Sequence, residues 1–210
     1  MAKELGLTTA LVSNGARLAG GLAPQLAPHL DWLALSVDSV SADVNRAHGR
    51  ALGGSRVVDG STLVAIGDLF RRAQVRLKIN TVVTRLNINE TLLPLIAQIS
   101  PERWKIMRVL EIEGENTEYY NELSVTEDEF RAYVLRSSPS SLNGTAFIVE
   151  NNNDMTDSYV MVDPLGRFIS NTDGSYRTSQ PILQVGIASA LSDVSYDRAK
   201  FEARGGLYDW

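Results

Sequence analysis

Two apolar segments of this chain carry cations at alternate positions. The first covers residues 75–83 and holds Leu77, Lys78, Ile79 and Asn80; the second covers 103–110 and opens Arg103, Trp104, Lys105, Ile106. In a strand, residues two apart share a face. Lys78 and Asn80 therefore point one way, with Leu77 and Ile79 opposite; Arg103 and Lys105 point one way, with Trp104 and Ile106 opposite. A helix-like segment, 88–99, separates the two, which reads as strand–helix–strand with parallel strands. Any one of these lysines, taken alone, is best explained as a solvent-facing charge. Four polar residues at matching positions of strands that should be buried are harder to explain that way. The pattern points to an anion site, most simply one for phosphates.

Other candidates are weaker one by one. A first strand, 7–12, runs into Ser13-Asn14-Gly15, a tight turn whose amides and Asn side chain could face a ligand at the carboxyl end of a parallel sheet. The tripeptide alone is better explained as an ordinary turn. A second strand, 32–38, has a small polar face of Ala34, Ser36 and Asp38 and an apolar face of Leu33, Leu35 and Val37. Arg50 sits beside Gly49 and before Gly53-Gly54, where a guanidinium can approach a carboxylate or phosphate. Glu111 and Glu113 lie in an acidic glycine-bearing loop that could meet a metal or ribose hydroxyls, or be merely solvated. Tyr159, from residue pattern alone, is a half-buried strand residue.

Composition narrows the classes. The chain has 210 residues, 44% of them hydrophobic, and a net charge of −5. That length allows one large domain or two small ones with a sizeable core. The acidic balance argues against a general nucleic-acid surface, so the local cation cluster stands out. There is no cysteine, which excludes disulfides, thiolate zinc and any cysteine-held iron–sulfur cluster built from these residues. No apolar run reaches membrane-spanning length and the first residues carry no signal-peptide pattern, so a cytoplasmic location is expected.

The elements that must position these groups alternate. Residues 2–6 look like the last turn of a helix with a Gly stop, which suggests further material upstream. A broken helical stretch, 18–30, carries Gly20, Gly21, Pro24 and Pro28. Helical spacing recurs over 57–73, ending at Arg71-Arg72, and over the segment with Leu92, Leu93, Leu95 and Ile96, capped by Asn87 or Asn89. The first 110 residues thus read βαβαβαβ, a parallel barrel or doubly wound sheet. Beyond residue 110 the pattern becomes α+β. Thr126 to Glu129 forms a capping box, and 137–143 a polar loop. A strand follows at 147–150, a turn at 151–154, and a hairpin joins 159–163 to 167–170. The region ends with a helix at 182–191 and a last one capped by Ser195. The expected division is 1–116 for the barrel part and 117–210 for an extension packed on it.

With these segments in view, the sequence resembles the viperin family of radical S-adenosylmethionine (SAM) enzymes, including its prokaryotic members. The resemblance rests on short stretches in order along nearly the whole chain: Lys3 to Leu7, Ser13-Asn14-Gly15, Ala34 to Ser39, Gly49-Arg50, Lys78-Ile79-Asn80, Arg103-Trp104-Lys105, Ile112 to Asn116, Asp157-Ser158-Tyr159 and Arg204-Gly205-Gly206. It implies an α/β fold, a partial (β/α)6 TIM-like barrel of radical SAM type, here truncated at its N-terminal strands and followed by an α+β extension. It further implies that a cysteine-rich loop after the first strand holds a [4Fe–4S] cluster. SAM cleavage then yields a 5′-deoxyadenosyl radical, which takes hydrogen from C4′ of a nucleoside triphosphate. The product is the 3′-deoxy-3′,4′-didehydro nucleotide used in antiviral defence. This chain starts about where the third barrel strand would, so the cluster loop and the SAM-amine motif are expected in a missing N-terminal segment, which another chain could supply as a partner, and the chain is expected to be inactive alone.

Residue by residue, the resemblance places Ser36 and Arg50 on SAM, with Ser13 and Asn14 beside them. It places Lys78, Arg103 and Lys105 on the triphosphate of a CTP-like substrate, with Asn80 positioning the nucleotide. Tyr159 matches a tyrosine proposed to return a hydrogen atom or electron to the substrate radical. No metal ligands are expected in this chain, and neither a nucleic acid nor a membrane is an expected partner. Two other readings stay open: a non-catalytic nucleotide-binding module, and a barrel enzyme acting on a phosphorylated sugar, with Lys78 as a Schiff-base lysine.

Overall fold

The structure, a computed structural model, describes residues 2–138, 142 and 144–207. They cluster into two compact units: Met1–Met107 with Val125–Val149, and Arg108–Ser124 with the residues from Glu150 on. The segment 125–149, beyond the expected boundary at 116, thus joins the first unit, and 108–116 joins the second.

The first unit is built on a five-stranded sheet in sequence order, β1 (Ala10–Ser13), β2 (Trp32–Ser36), β3 (Arg76–Val83), β4 (Arg103–Arg108) and β5 (Ala146–Glu150). Strands β1, β2 and β3 pair in parallel. Val12, Ala34 and Lys78 form one row across them, and Ser36 neighbours Asn80. The Glu102 N–H donates to the Leu77 carbonyl at 2.9 Å, joining the starting ends of β4 and β3. The two strands therefore run the same way.

Helix Gly60–Arg72 follows from its sequence. Asp59 accepts from the Thr62 N–H at 2.7 Å, and Leu63, Ile66, Gly67 and Phe70 form the buried stripe. Arg71 and Arg72 sit at the negative end of the helix dipole. Gly67 faces both the sheet and the next helix, where a Cβ would make ordinary 3.4 Å contacts with the side chains of Leu77 and Ile99. Helix Leu93–Ile99 has no side-chain cap. Asn87, expected as one, is used elsewhere: its Oδ1 accepts from the Thr84 N–H, and its Nδ2 donates to the carbonyls of Asp38 and Val82, all at 2.8 Å. Helix Glu127–Ser137 opens with the expected Thr126/Glu129 capping box and buries Phe130 and Tyr133. The core of the unit contains Leu33, Leu35, Phe70, Leu77, Ile79, Ile96, Trp104 and Ile106, each fully buried and each contributing about 1.5–3 kcal/mol.

The second unit carries a three-stranded antiparallel sheet, β6 (Met161–Val162), β7 (Arg167–Thr172) and β8 (Ser175–Pro181). Asp163 closes the β6–β7 turn by accepting from the Leu165 and Arg167 N–H groups, both at 2.9 Å. Those bonds hold its carboxyl below the usual carboxylate range. Strand β8 has no counterpart in the sequence expectations. The helix expected over 182–191 is two, Ile182–Val185 and Ile187–Ser192, split at Gly186 with φ 81°. The last helix, Arg198–Ala203, is capped by Asp197; Ser195 instead donates its N–H to Ser170 Oγ at 3.2 Å. Of the polar loop expected over 137–143, residues 139–141 and 143 lie outside the described residues. Among the described residues no helix is long and apolar enough to cross a membrane.

Candidate functional site

The four polar strand residues come from the most regular part of the sheet. Along β3 burial alternates, with Leu77, Ile79, Thr81 and Val83 buried and Lys78, Asn80 and Val82 half-buried. Trp104 of β4 donates its indole N–H to Thr81 Oγ1 at 3.0 Å, and Thr81 Oγ1 donates to the Val37 carbonyl at 2.7 Å. Trp104 therefore lies on the Thr81 side, and the period of two puts Arg103 and Lys105 on the side of Lys78 and Asn80. Lys105 is only 5% exposed, and Asn80 Oδ1 is buried without a hydrogen-bond partner. Three cations and an amide thus share one face of adjacent strands, the arrangement expected from their spacing.

A cleft at the carboxyl ends of β1 and β2 is lined by Asn14, Ser36, Ser39, Asn45, Arg50 and Arg56, among others. Asn14, Ser36 and Arg50 are brought together there; Ser13 is not. Register explains the difference: Ser13 lies beside Leu35, in the row of Ile79, on the apolar face. Its Oγ accepts from the Gly15 N–H at 3.1 Å, and Asn14 Oδ1 accepts from the Ala16 N–H at 3.1 Å. Gly15 closes this turn at φ 83°, and a Cβ there would come within 3.3 Å of Leu63. Only glycine meets both demands without strain.

Several partners of these groups carry no local sequence signal. Arg50 Nε donates to Asp38 Oδ2, and the Asp38 side chain is 4% exposed. Glu90, from the loop after β3, accepts from Ser39 Oγ at 2.6 Å and from the Val40 N–H at 3.2 Å, pinning the loop after β2. His48 Nε2 lies 2.6 Å from Thr84 Oγ1. Burial holds the His48 imidazole below its ordinary pKa; the Asp38 charge opposes this and Arg50 adds to it.

In the second unit, the Tyr159 hydroxyl donates to Glu150 Oε2 at 2.7 Å. Tyr159 precedes β6 in an irregular segment rather than within a strand, and is half-buried. Arg204 donates to Glu150 Oε1 and to the Ser158 carbonyl, both at 2.9 Å, and its guanidinium stacks 3.8 Å from the Tyr159 ring centre. The Glu113 N–H donates to the Gly174 carbonyl at 2.7 Å. Among the described residues no three His, Asp or Glu side chains gather as a metal site, and with no cysteine in the sequence these residues do not fit a [4Fe–4S] cluster.

No known family profile matches the sequence. Individual relatives do. Over 212 residues, all of this chain and 70% of the relative, the chain is 40% identical to the S-adenosylmethionine-dependent nucleotide dehydratase of Flammeovirga pacifica. It is 37% identical to the protein of the same name from Lacinutrix mariniflava, covering 43% of that relative. It is 31% identical to one from Oncorhynchus mykiss, covering 58%. The chain therefore spans between under half and somewhat over two thirds of these relatives. Among solved structures, Streptococcus suis SuiB bound to S-adenosylmethionine superposes over 80% of this chain and 43% of its own, with TM-score 0.54 and 16% identity, a likeness of fold alone.

Proposed function

The chain belongs to the S-adenosylmethionine-dependent nucleotide dehydratases, the viperins, and from that premise we propose that its sheet binds SAM at the ends of β1 and β2 and a nucleoside triphosphate across β3 and β4. In this reading the sheet is part of a partial (β/α)6 barrel of radical SAM type. The cluster-binding cysteines come from residues outside these 210, and the chain is inactive without them.

The residues present suit SAM as a ligand. Asn14 and Ser36 offer hydrogen-bonding groups to an amino-acid or ribose moiety, and Arg50 offers a planar fork to a carboxylate. SAM, when bound, supplies the deoxyadenosyl group. These side chains supply no ligand for a cluster; what they do is bind and orient. Lys78, Arg103 and Lys105 would neutralise a triphosphate, and Asn80 Oδ1, buried and lacking a donor, would accept from a sugar hydroxyl or base amine. Tyr159 would serve as the hydrogen or electron donor that the resemblance implies, its phenol oriented by Glu150 and Arg204. A CTP-like substrate and an antiviral role follow from the family reading.

The observation that carries the proposal is the common face of Lys78, Asn80, Arg103 and Lys105 in strands whose other face carries Leu77, Ile79, Trp104 and Ile106, all buried. Calorimetry with CTP tests it. Removing one charge-assisted phosphate contact costs about 1.5–3 kcal/mol, or about 10- to 150-fold in Kd. Lys105→Ala should show that loss. Equal binding by the variant and the native chain would refute the triphosphate site.

A further inference from the structure

Asp38 stands just past β2, buried, with every oxygen engaged. Oδ2 accepts from Arg50 Nε. Oδ1 accepts from the Val82 N–H of β3 at 2.8 Å, and the backbone carbonyl accepts from Asn87 Nδ2 at 2.8 Å. Such a carboxylate cannot turn to meet a ligand without breaking bonds to β3 or to Arg50. Arg50 is fixed as well: its N–H donates to the Asn45 carbonyl at 2.8 Å, and Gly49 turns the chain before it at φ 70°. Its side chain keeps 29% exposure on the cleft shared with Asn14 and Ser36. A guanidinium has five N–H donors in a rigid fork. With Nε held inward by Asp38, the remaining donors are left to the cleft, and their direction is set by Asp38.

We infer that Asp38 is a positioning residue for cofactor binding: it holds Arg50 in advance so that the guanidinium fork meets the methionyl carboxylate of SAM. The inference rests on the SAM assignment of this cleft proposed above. Because Asp38 offsets the charge of Arg50, the fork selects its ligand by hydrogen-bond direction more than by long-range attraction. Asp38 thus acts on the carboxylate end of the ligand and not on its adenosine end.

The test is calorimetry on the whole chain with SAM and with 5′-methylthioadenosine, which lacks the amino-acid end. Arg50→Ala should weaken SAM by about tenfold or more, the worth of a charge-assisted contact, and spare methylthioadenosine. Asp38→Asn should reproduce that selective loss, and the double variant should lose no more than Arg50→Ala alone. A merely structural Asp38 would weaken both ligands together. Asp38→Asn with native SAM preference, beside an Arg50→Ala that has lost it, overturns the inference. Native preference in Arg50→Ala removes the SAM assignment and the inference with it. If Asp38→Asn does not fold, the native chain decides by nuclear magnetic resonance without ligand. The Arg50 Nε–H, identified by its absence in Arg50→Lys, should be resolved and slow to exchange; averaging into the bulk arginine signal overturns the inference.

Discussion

Arg204→Met tests the buried network that orients Tyr159. The Arg204 and Glu150 side chains are 5% and 0% exposed, and they pair at 2.9 Å. The substitution keeps an unbranched apolar stem of comparable length but removes the guanidinium. It deletes the bond to Glu150, the bond to the Ser158 carbonyl and the stack on Tyr159. Taking one partner from a buried pair costs about 3–5 kcal/mol, because the other charge stays where water cannot solvate it. For a chain of this size each kcal/mol lowers Tm by about 2–4 °C, so the expected fall is about 6–20 °C. Urea unfolding gives the free energy directly. The double variant Arg204→Met/Glu150→Leu should recover part of the loss, since replacing both charges with apolar groups is often close to neutral. A single variant within about 1 kcal/mol of native, or a double variant less stable than the single, would refute the claim that the pair is closed to water.

Three further outcomes follow from named contacts. Gly15→Ala should cost about 1–2 kcal/mol by thermal melting, because an L-residue resists φ 83°; Gly20→Ala, with nothing within 4 Å of the new methyl, is the control and should not lower Tm. His48 has its folded pKa below the ordinary 6.5, so the unfolded chain binds more protons as pH falls through that value. Stability should drop there, and His48→Gln should flatten the urea midpoint between about pH 7.5 and about pH 5; an unchanged slope assigns the effect to other groups. Thr126→Ala removes the hydroxyl that accepts from the Glu129 N–H, which should cost about 1 kcal/mol, and an unaltered midpoint would show that the Arg85–Glu129 pair holds the helix start alone.

Sequence period made the strand faces visible and left their partners hidden. Lys78 and Asn80 alternate with Leu77 and Ile79 whatever the register, and Thr126 lies three residues from Glu129, so both features follow from local spacing. Ser13 and Asn14 are adjacent and equally polar, yet the pairing of β1 with β2 sends only Asn14 toward the cleft. Asp38 and Arg50 meet across the helix Ala42–Ala47, and Glu150 and Arg204 are 54 positions apart; no periodicity encodes either pair. Asn87 and Ser195 are good capping residues by type. The first is drawn into a bridge between the loops after β2 and β3, and the second stands two positions before the Asp197 that does the capping.

What singles out the face of β3 and β4 is its conflict with folding. Lys105 is 5% exposed between Trp104 and Ile106, both fully buried. A leucine at that position would gain hydrophobic burial and avoid desolvating an ammonium. Lys78 and Arg103, both half-buried, lie on the same face, beside Asn80 with its buried carbonyl oxygen still lacking a donor. Edge charges that deter aggregation would sit on the outermost strands, but β3 is the middle strand of five. Stability explains why the other face of these strands is aliphatic. The proposed triphosphate is a ligand whose charge matches the cations on this one.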